Sequence, residues 1–136
     1  MEITRRTDYA IRMMTALADA GEACPISVRA LAEAQGVPYA FSRTVQRDLM
    51  TAGLVAATRG ATGGLCLTRP STEITLLQIV EATQGTPSIA TCSADPKWCG
   101  RSGTCSAHRV WCEIDALVRE QLGSKTLAGL SSKHGR

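Results

Sequence analysis

Aromatic residues are scarce: two Trp, two Tyr and one Phe among 136 residues, or 4% of the chain. A core without aromatic bulk must be filled by Ala, Leu, Val, Ile and Met, a set that favours helices. Long apolar runs are missing too. None approaches the roughly 20 residues that span a bilayer, and the charged opening M-E-I-T-R-R-T-D-Y leaves no room for the apolar segment of a signal peptide. A soluble, cytoplasmic protein with no membrane partner is therefore expected. Net charge is low at +3, and the halves hardly differ: residues 1–70 carry eight basic and six acidic side chains, residues 71–136 seven and six. There are no internal repeats, and the length suits one domain with appendages.

Cysteine, by contrast, is plentiful. Four of the six, Cys92, Cys99, Cys105 and Cys112, lie with His108 in T-C-S-A-D-P-K-W-C-G-R-S-G-T-C-S-A-H-R-V-W-C, residues 91–112. A reducing compartment makes such clustered thiols likelier ligands than disulfides. Six residues separate Cys92 from Cys99 and five separate Cys99 from Cys105, with His108 one helical turn further on. Three thiolates and an imidazole suit tetrahedral zinc or an iron–sulfur cluster. Zinc sites usually contain a closely spaced cysteine pair, so the wide gaps favour the bulkier cluster, with Trp98 and the glycines closing the loop around it. Cys112 is a substitute ligand on the same helical face, or simply a small hydrophobe. Cys24, Cys66 and His134 read as structural or incidental.

Upstream, apolar residues at Ala10, Met13, Met14, Leu17 and Ala18 predict a helix over residues 4–19, ended by Gly21. Ser27 is placed to cap a second helix that ends near Gly36. Gly36-Val37-Pro38 then separates it from a third, residues 39–51, so the order is helix, turn, helix. On the third helix Phe41, Val45 and Leu49 are expected to face inward. Tyr39, Ser42, Arg43, Gln46 and Arg47 then face outward, as reading base edges in a major groove requires. Two β-prone runs around Gly60, Gly63 and Gly64 predict a hairpin, a wing with Arg59 at its shoulder. Between residues 39 and 69, four arginines face one acid, Asp48. A short helix over residues 75–83 should pack under the wing.

The last helix, residues 106–122, has a stripe of Ala107, Val110, Trp111, Ile114, Leu117, Val118 and Leu122, with Arg109, Glu113, Asp115, Arg119 and Glu120 opposite. A stripe extending beyond the compact part of a small domain is suited to a second copy, so a homodimer is expected. The tail from Ser131 is polar and reads as disordered. The fold class is mainly α with a small β-hairpin wing: a winged helix-turn-helix (residues 1–85), a cluster-binding loop (86–105), a dimerisation helix and C-terminal segment (106–130) and a polar tail (131–136). An enzyme is not expected, because Cys105 with His108 as base lacks a third member and an oxyanion loop.

Taken in order, T-D-Y-A-I-R, L-A-E-A-Q-G-V-P, A-G-L-V-A-A-T-R-G-A-T-G-G, E-I-T-L-L-Q-I-V-E-A, the three cysteines and T-L-A-G-L resemble the bacterial iron–sulfur winged-helix regulators of the IscR and NsrR type. The resemblance spans residues 3–130. It implies a homodimeric regulator of promoter DNA, a repressor or redox sensor, with Cys92, Cys99 and Cys105 on the cluster. His108 resembles the fourth ligand of the IscR type, which holds [2Fe-2S], the favoured cofactor. Asp8, which sits four residues before Arg12 as an ion-pair partner, resembles the ligand of the [4Fe-4S] NsrR type, delivered by the other subunit. The first cysteine gap is one residue longer than in the IscR type, and Arg43 stands where that type has an acid. A zinc-stabilised winged-helix DNA-binding protein without a sensing role is the alternative.

Overall fold

The computed structural model describes residues 1–21 and 24–131; residues 22–23 and 132–136, His134 among them, lie outside the described residues. Helix α1 (Arg5–Ala20) is the hub. Thr4 caps it by accepting from the Thr7 N–H, and Gly21 ends it at φ 54°. Ala10, Met13, Met14 and Leu17 are almost wholly buried, meeting helices on several sides of α1. Each large side chain taken out of water there contributes about 1.5–3 kcal/mol, so one face of α1 holds the whole winged part together.

Helix α2 (Val28–Gln35) begins at Ser27, whose hydroxyl accepts from the Ala30 N–H, and stops at Gly36, which adopts a left-handed conformation at φ 64°. Helix α3 (Tyr39–Thr51) follows. Its inward face is Ser42, Val45 and Leu49, all fully buried, at spacings of three and four. Phe41 is 43% exposed and stands edge-on to the Tyr9 ring at 5.4 Å. The expected inward Phe41 and outward Ser42 therefore exchange places. Ser42 tolerates burial because its hydroxyl donates to the Tyr39 carbonyl within the same turn, at 2.6 Å.

The wing is an antiparallel pair, β1 (Val55–Thr58) and β2 (Gly64–Leu67), with Val55 opposite Leu67 and Thr58 opposite Gly64. Of its three loop glycines only Gly60 uses positive φ, at 107°. Gly63 and Gly64 serve another purpose. A Cβ on Gly64 would lie 2.3 Å from the Ile26 carbonyl, and one on Gly63 would lie 2.1 Å from that of Thr58. That close approach lets Ile26 and Leu65 exchange backbone hydrogen bonds of 3.1 and 2.8 Å, docking the segment before α2 onto β2.

After a 3₁₀ turn (Ser71–Glu73), helix α4 (Leu76–Gln84) starts in a capping box between Thr75 and Gln78. It packs chiefly on α1, α3 and the long helix Ser106–Ser124. At its end Gln84 accepts from the Thr4 N–H and the Thr7 hydroxyl, which also contacts Thr83, so the start of α1 and the end of α4 are locked together. Helix α5 (Thr91–Ala94) is a single turn within the expected loop. Helix α6 (Ser106–Ser124) runs to Lys125, and α7 (Leu127–Leu130) returns to the core through Leu127 and Ala128. Backbone bonds from Leu76 to Lys125 and from Leu127 to Ile74 fasten that return to the start of α4. Ser131, placed in the tail by its polarity, is buried and hydrogen-bonds to Asp19. Among the described residues, no helix is long and apolar enough to cross a membrane.

Candidate nucleic-acid interface and metal centre

Tyr39, Arg43 and Arg47 lie exposed along one side of α3, with Gln46 half-buried between them. Arg43 donates to the Tyr39 phenol oxygen at 3.2 Å, and Arg29 from α2 stacks its guanidinium over the Tyr39 ring at 4.3 Å. The Arg43 hydrogen bond, aided by the positive charge of both arginines, holds the Tyr39 phenol below its usual pKa against a smaller opposing effect of burial. Arg29 has no signal in the sequence, since it lies outside the α3 pattern and reaches Tyr39 only because α2 and α3 cross. Ser42 is removed from the candidate contacts by its burial. Asp48, the single acid in the basic stretch, pairs with Arg6 of α1 at 2.5 Å. Its charge is thereby compensated on the inner side of α3 and does little to offset Arg43 and Arg47. Arg59 is exposed where β1 enters the wing loop. Arg29 and Arg43 thus gather at Tyr39, with Arg47 exposed further along α3 and Arg59 exposed on the wing.

The cysteine segment is anchored at one end by a residue expected on the solvent side of α6. Asp115 is 2% exposed, and its carboxylate accepts from the Ile89 N–H at 2.8 Å and the Ser88 hydroxyl at 3.0 Å. Burial alone would raise its pKa, but hydrogen bonds from Ser93, Ile89 and Ser88, with the charge of Arg119, outweigh that and hold it below the usual carboxylate range. A folded-state pKa below the unfolded one means that the stability Asp115 supplies is complete above about pH 4 and is lost as pH falls through the lowered value. Asp115→Ala, which strands the Ile89 N–H, is expected to cost about 1–3 kcal/mol at neutral pH. Denaturant titration at pH 7 and at pH 3 checks this: the gap between wild type and variant should shrink at the lower pH, and an equal gap at both would refute the assignment.

Asp115 thereby pins the approach to α5, which carries Cys92, against α6. Among the described residues, the hydrogen bonds of the segment beyond it are short-range: Lys97 and Trp98 N–H to Asp95, Ser102 N–H to Cys99, and Thr104 and Cys105 N–H to Arg101. Cys99 is half-buried in these turns, and Cys105 is the extended residue just before α6. His108, in the first turn of α6, has a buried Nδ1 without a hydrogen-bond partner among the described residues, while its Nε2 lies 3.6 Å from Cys112 Sγ. Trp98 is 66% exposed and does not close over the loop, because those turns carry it outward. Asp8 pairs with Arg12 at 2.6 Å on the surface of α1.

Cys92, Cys99, Cys105 and Cys112 are free thiols. With the unpartnered imidazole nitrogen, their chemistry suits a thiophilic metal centre. Among the described residues, no three Cys, His, Asp or Glu side chains converge closely enough to hold a metal ion. Cys24 and Cys66, in contrast, are joined as a disulfide. The sequence carries no signal for this pair, which meets only because Ile26 docks on Leu65.

Residues 3–133 match the family Rrf2, described as iron-dependent transcriptional regulators. The transcriptional repressor NsrR of Streptomyces coelicolor is 33% identical over 112 residues, 80% of this chain and 74% of the relative. Among solved structures, IscR of T. potens superposes with a TM-score of 0.76 at 25% identity, covering 96% of this chain and 85% of that one. CymR, the global cysteine regulator of B. subtilis, does so with a TM-score of 0.77 at 26% identity, covering 98% of each. These relatives are regulators rather than enzymes, and the family match covers nearly the whole winged-helix chain: the protein belongs to the Rrf2 family of DNA-binding transcriptional regulators.

Proposed function

We infer that this regulator works in the cytoplasm as a homodimer whose operator affinity is set by an iron–sulfur cluster held through Cys92, Cys99 and Cys105. The observation that carries the reading is the buried Nδ1 of His108, without a hydrogen-bond partner among the described residues and one turn into α6 from Cys105, in a segment that also carries four free thiols. His108 is the favoured fourth ligand, with [2Fe-2S]. The alternative is Asp8 from the second protomer, with [4Fe-4S]. Such a cluster supplies a centre sensitive to oxidants, nitric oxide and iron supply.

The chain's own part is mechanical. Residues 95–105 can rearrange without breaking bonds to the winged helix, because their hydrogen bonds are local. Cys92 rides on α6 through the Asp115 anchor, and α6 is fastened at its far end to the start of α4. A cluster held through Cys92, Cys99 and Cys105 would order residues 95–105 against the start of α6, and the switch we infer is a resulting movement of α6 against the winged part. In a dimer joined along α6, that movement changes the distance and angle between two α3 helices, which must sit about 34 Å apart, one turn of DNA, to fill two half-sites. Only a difference in affinity between the two states makes this a switch.

Iron and sulfide content, visible absorption and affinity for a duplex selected from a random library test the reading after anaerobic purification. Matched iron and sulfide with at least about a tenfold affinity difference between loaded and stripped protein is expected, a coupling of about 1.4 kcal/mol. His108→Ala should change or remove the cluster, while Asp8→Ala should leave it. The reverse result transfers the fourth-ligand role to Asp8. A colourless protein containing zinc supports the zinc-stabilised alternative. A second reading, an effector other than a metal, is favoured by the similarity to a cysteine regulator and by the lack of three converging donors among the described residues; metal-free protein with an unchanged operator preference would support it.

A further inference from the structure

The disulfide between Cys24 and Cys66 joins the segment leading into α2 to wing strand β2, across 42 residues of sequence. It stands apart from the cysteine loop. Its Cα atoms are 5.4 Å apart, a separation a disulfide spans without moving the backbone. Both cysteines are only partly buried, and Cys24 lines an open cleft of about 220 Å³ beside Leu17, Leu67 and Arg69, so solutes can reach it. The hydrogen bonds between Ile26 and Leu65 involve no sulfur. They keep the two cysteines adjacent in the dithiol form as well, and re-forming the bond needs no conformational search.

A DNA-binding protein shares its compartment with the chromosome, where reducing conditions make most disulfides transient. A solvent-accessible pair held together by backbone bonds is suited to cycling under those conditions. We propose that Cys24 and Cys66 form a redox-modification site that exchanges with the low-molecular-weight disulfide pool and clasps the wing to the helix-turn-helix. One cysteine thiolate attacks a sulfur of the small disulfide and expels the first thiolate. The second cysteine thiolate then attacks the protein sulfur of the mixed disulfide and expels the other. Two electrons pass to the small disulfide, and the two cysteine protons end on the released thiols.

Cys66 lies opposite Ala56 in the hairpin, three residues from Arg59. The clasp therefore restrains the strand pair that carries the wing arginine. The oxidised form presents a pre-organised wing and binds operator DNA more tightly, by about three- to tenfold. This inference rests on the winged helix binding DNA and not on the cluster. The full-length protein is equilibrated anaerobically with mixtures of glutathione and glutathione disulfide, and its free thiols are tagged and counted by peptide mass. Visible absorption follows any cluster in the same samples. Affinity for the selected duplex and hydrogen exchange across residues 58–63 are measured on each mixture, and again for Cys24→Ser and Cys66→Ser. The expected result is a crosslink that opens and closes across the glutathione range, with slower wing exchange and tighter binding when closed. Both variants should stay at the reduced-state values throughout. A pair that is always open or always closed, an affinity indifferent to it, or variants that still follow the buffer would overturn the clasp. Failure to bind any duplex would instead refute DNA binding, and unchanged wing exchange would then refute the clasp on its own.

Discussion

Leu117→Glu should turn the protein into a monomer of 14.4 kDa and weaken operator binding by about a hundredfold or more. Leu117 is 60% exposed on α6, and Val110 and Trp111 are exposed on the same helix, an apolar surface left open among the described residues. Surface of that kind on a DNA-binding regulator is best accounted for by a second copy. Because Leu117 makes little contact with its own chain, the substitution should leave the protomer folded. The loss of affinity arises from linkage: once one half-site is occupied, the partner's α3 is held near the other at high effective concentration. Sedimentation analysis and DNA titration together decide the matter. A Leu117→Glu protein that remained dimeric would place the interface elsewhere.

Removing Arg43 and Arg47 together, as alanines, should weaken binding about a thousandfold and flatten its salt dependence. In a dimer the substitution deletes four cations. If each contacts a phosphate, the log–log slope against salt falls by roughly 3 to 4. Neither side chain is needed for folding, since both are exposed and the buried contacts of α3 come from Ser42, Val45 and Leu49. An unchanged melting temperature with an unchanged salt slope would show that α3 does not face the DNA backbone through these residues. Arg29→Ala is a milder companion. It removes the guanidinium stacked on Tyr39 and should cost less than the double substitution, because Arg43 still holds the phenol.

The candidate interface was largely legible in the sequence because α3 is a short helix with one apolar face, and its outward residues follow from helical period. The error at Ser42 and Phe41 has a definite cause. A pattern of every fourth residue drifts around a helix by about 40° per step, so the stripe 41, 45, 49 is less centred on the core than 42, 45, 49. A hydrophobicity count favours Phe over Ser at the contact, whereas the local bond to the Tyr39 carbonyl removes the cost of burying the hydroxyl. Asp115 was misplaced for a related reason. A carboxylate on a helix reads as solvent-facing until Ser88, Ile89 and Ser93, before and within α5, supply donors to it, and those donors are more than twenty residues away.

By itself the sequence determined what depends on neighbours a few residues apart. That includes the cap at Ser27, the stops at Gly21 and Gly36, the α1 stripe, the hairpin, and the density of thiols before α6, because each is set by backbone hydrogen bonding and side-chain period within a turn or two. Tertiary structure alone decided which distant groups meet: Cys24 with Cys66, Arg29 with Tyr39, Arg6 with Asp48, and Asp115 with Ser88 and Ile89. Those meetings follow from how α1 gathers the other elements around its buried face, and separation along the chain carries no information about them.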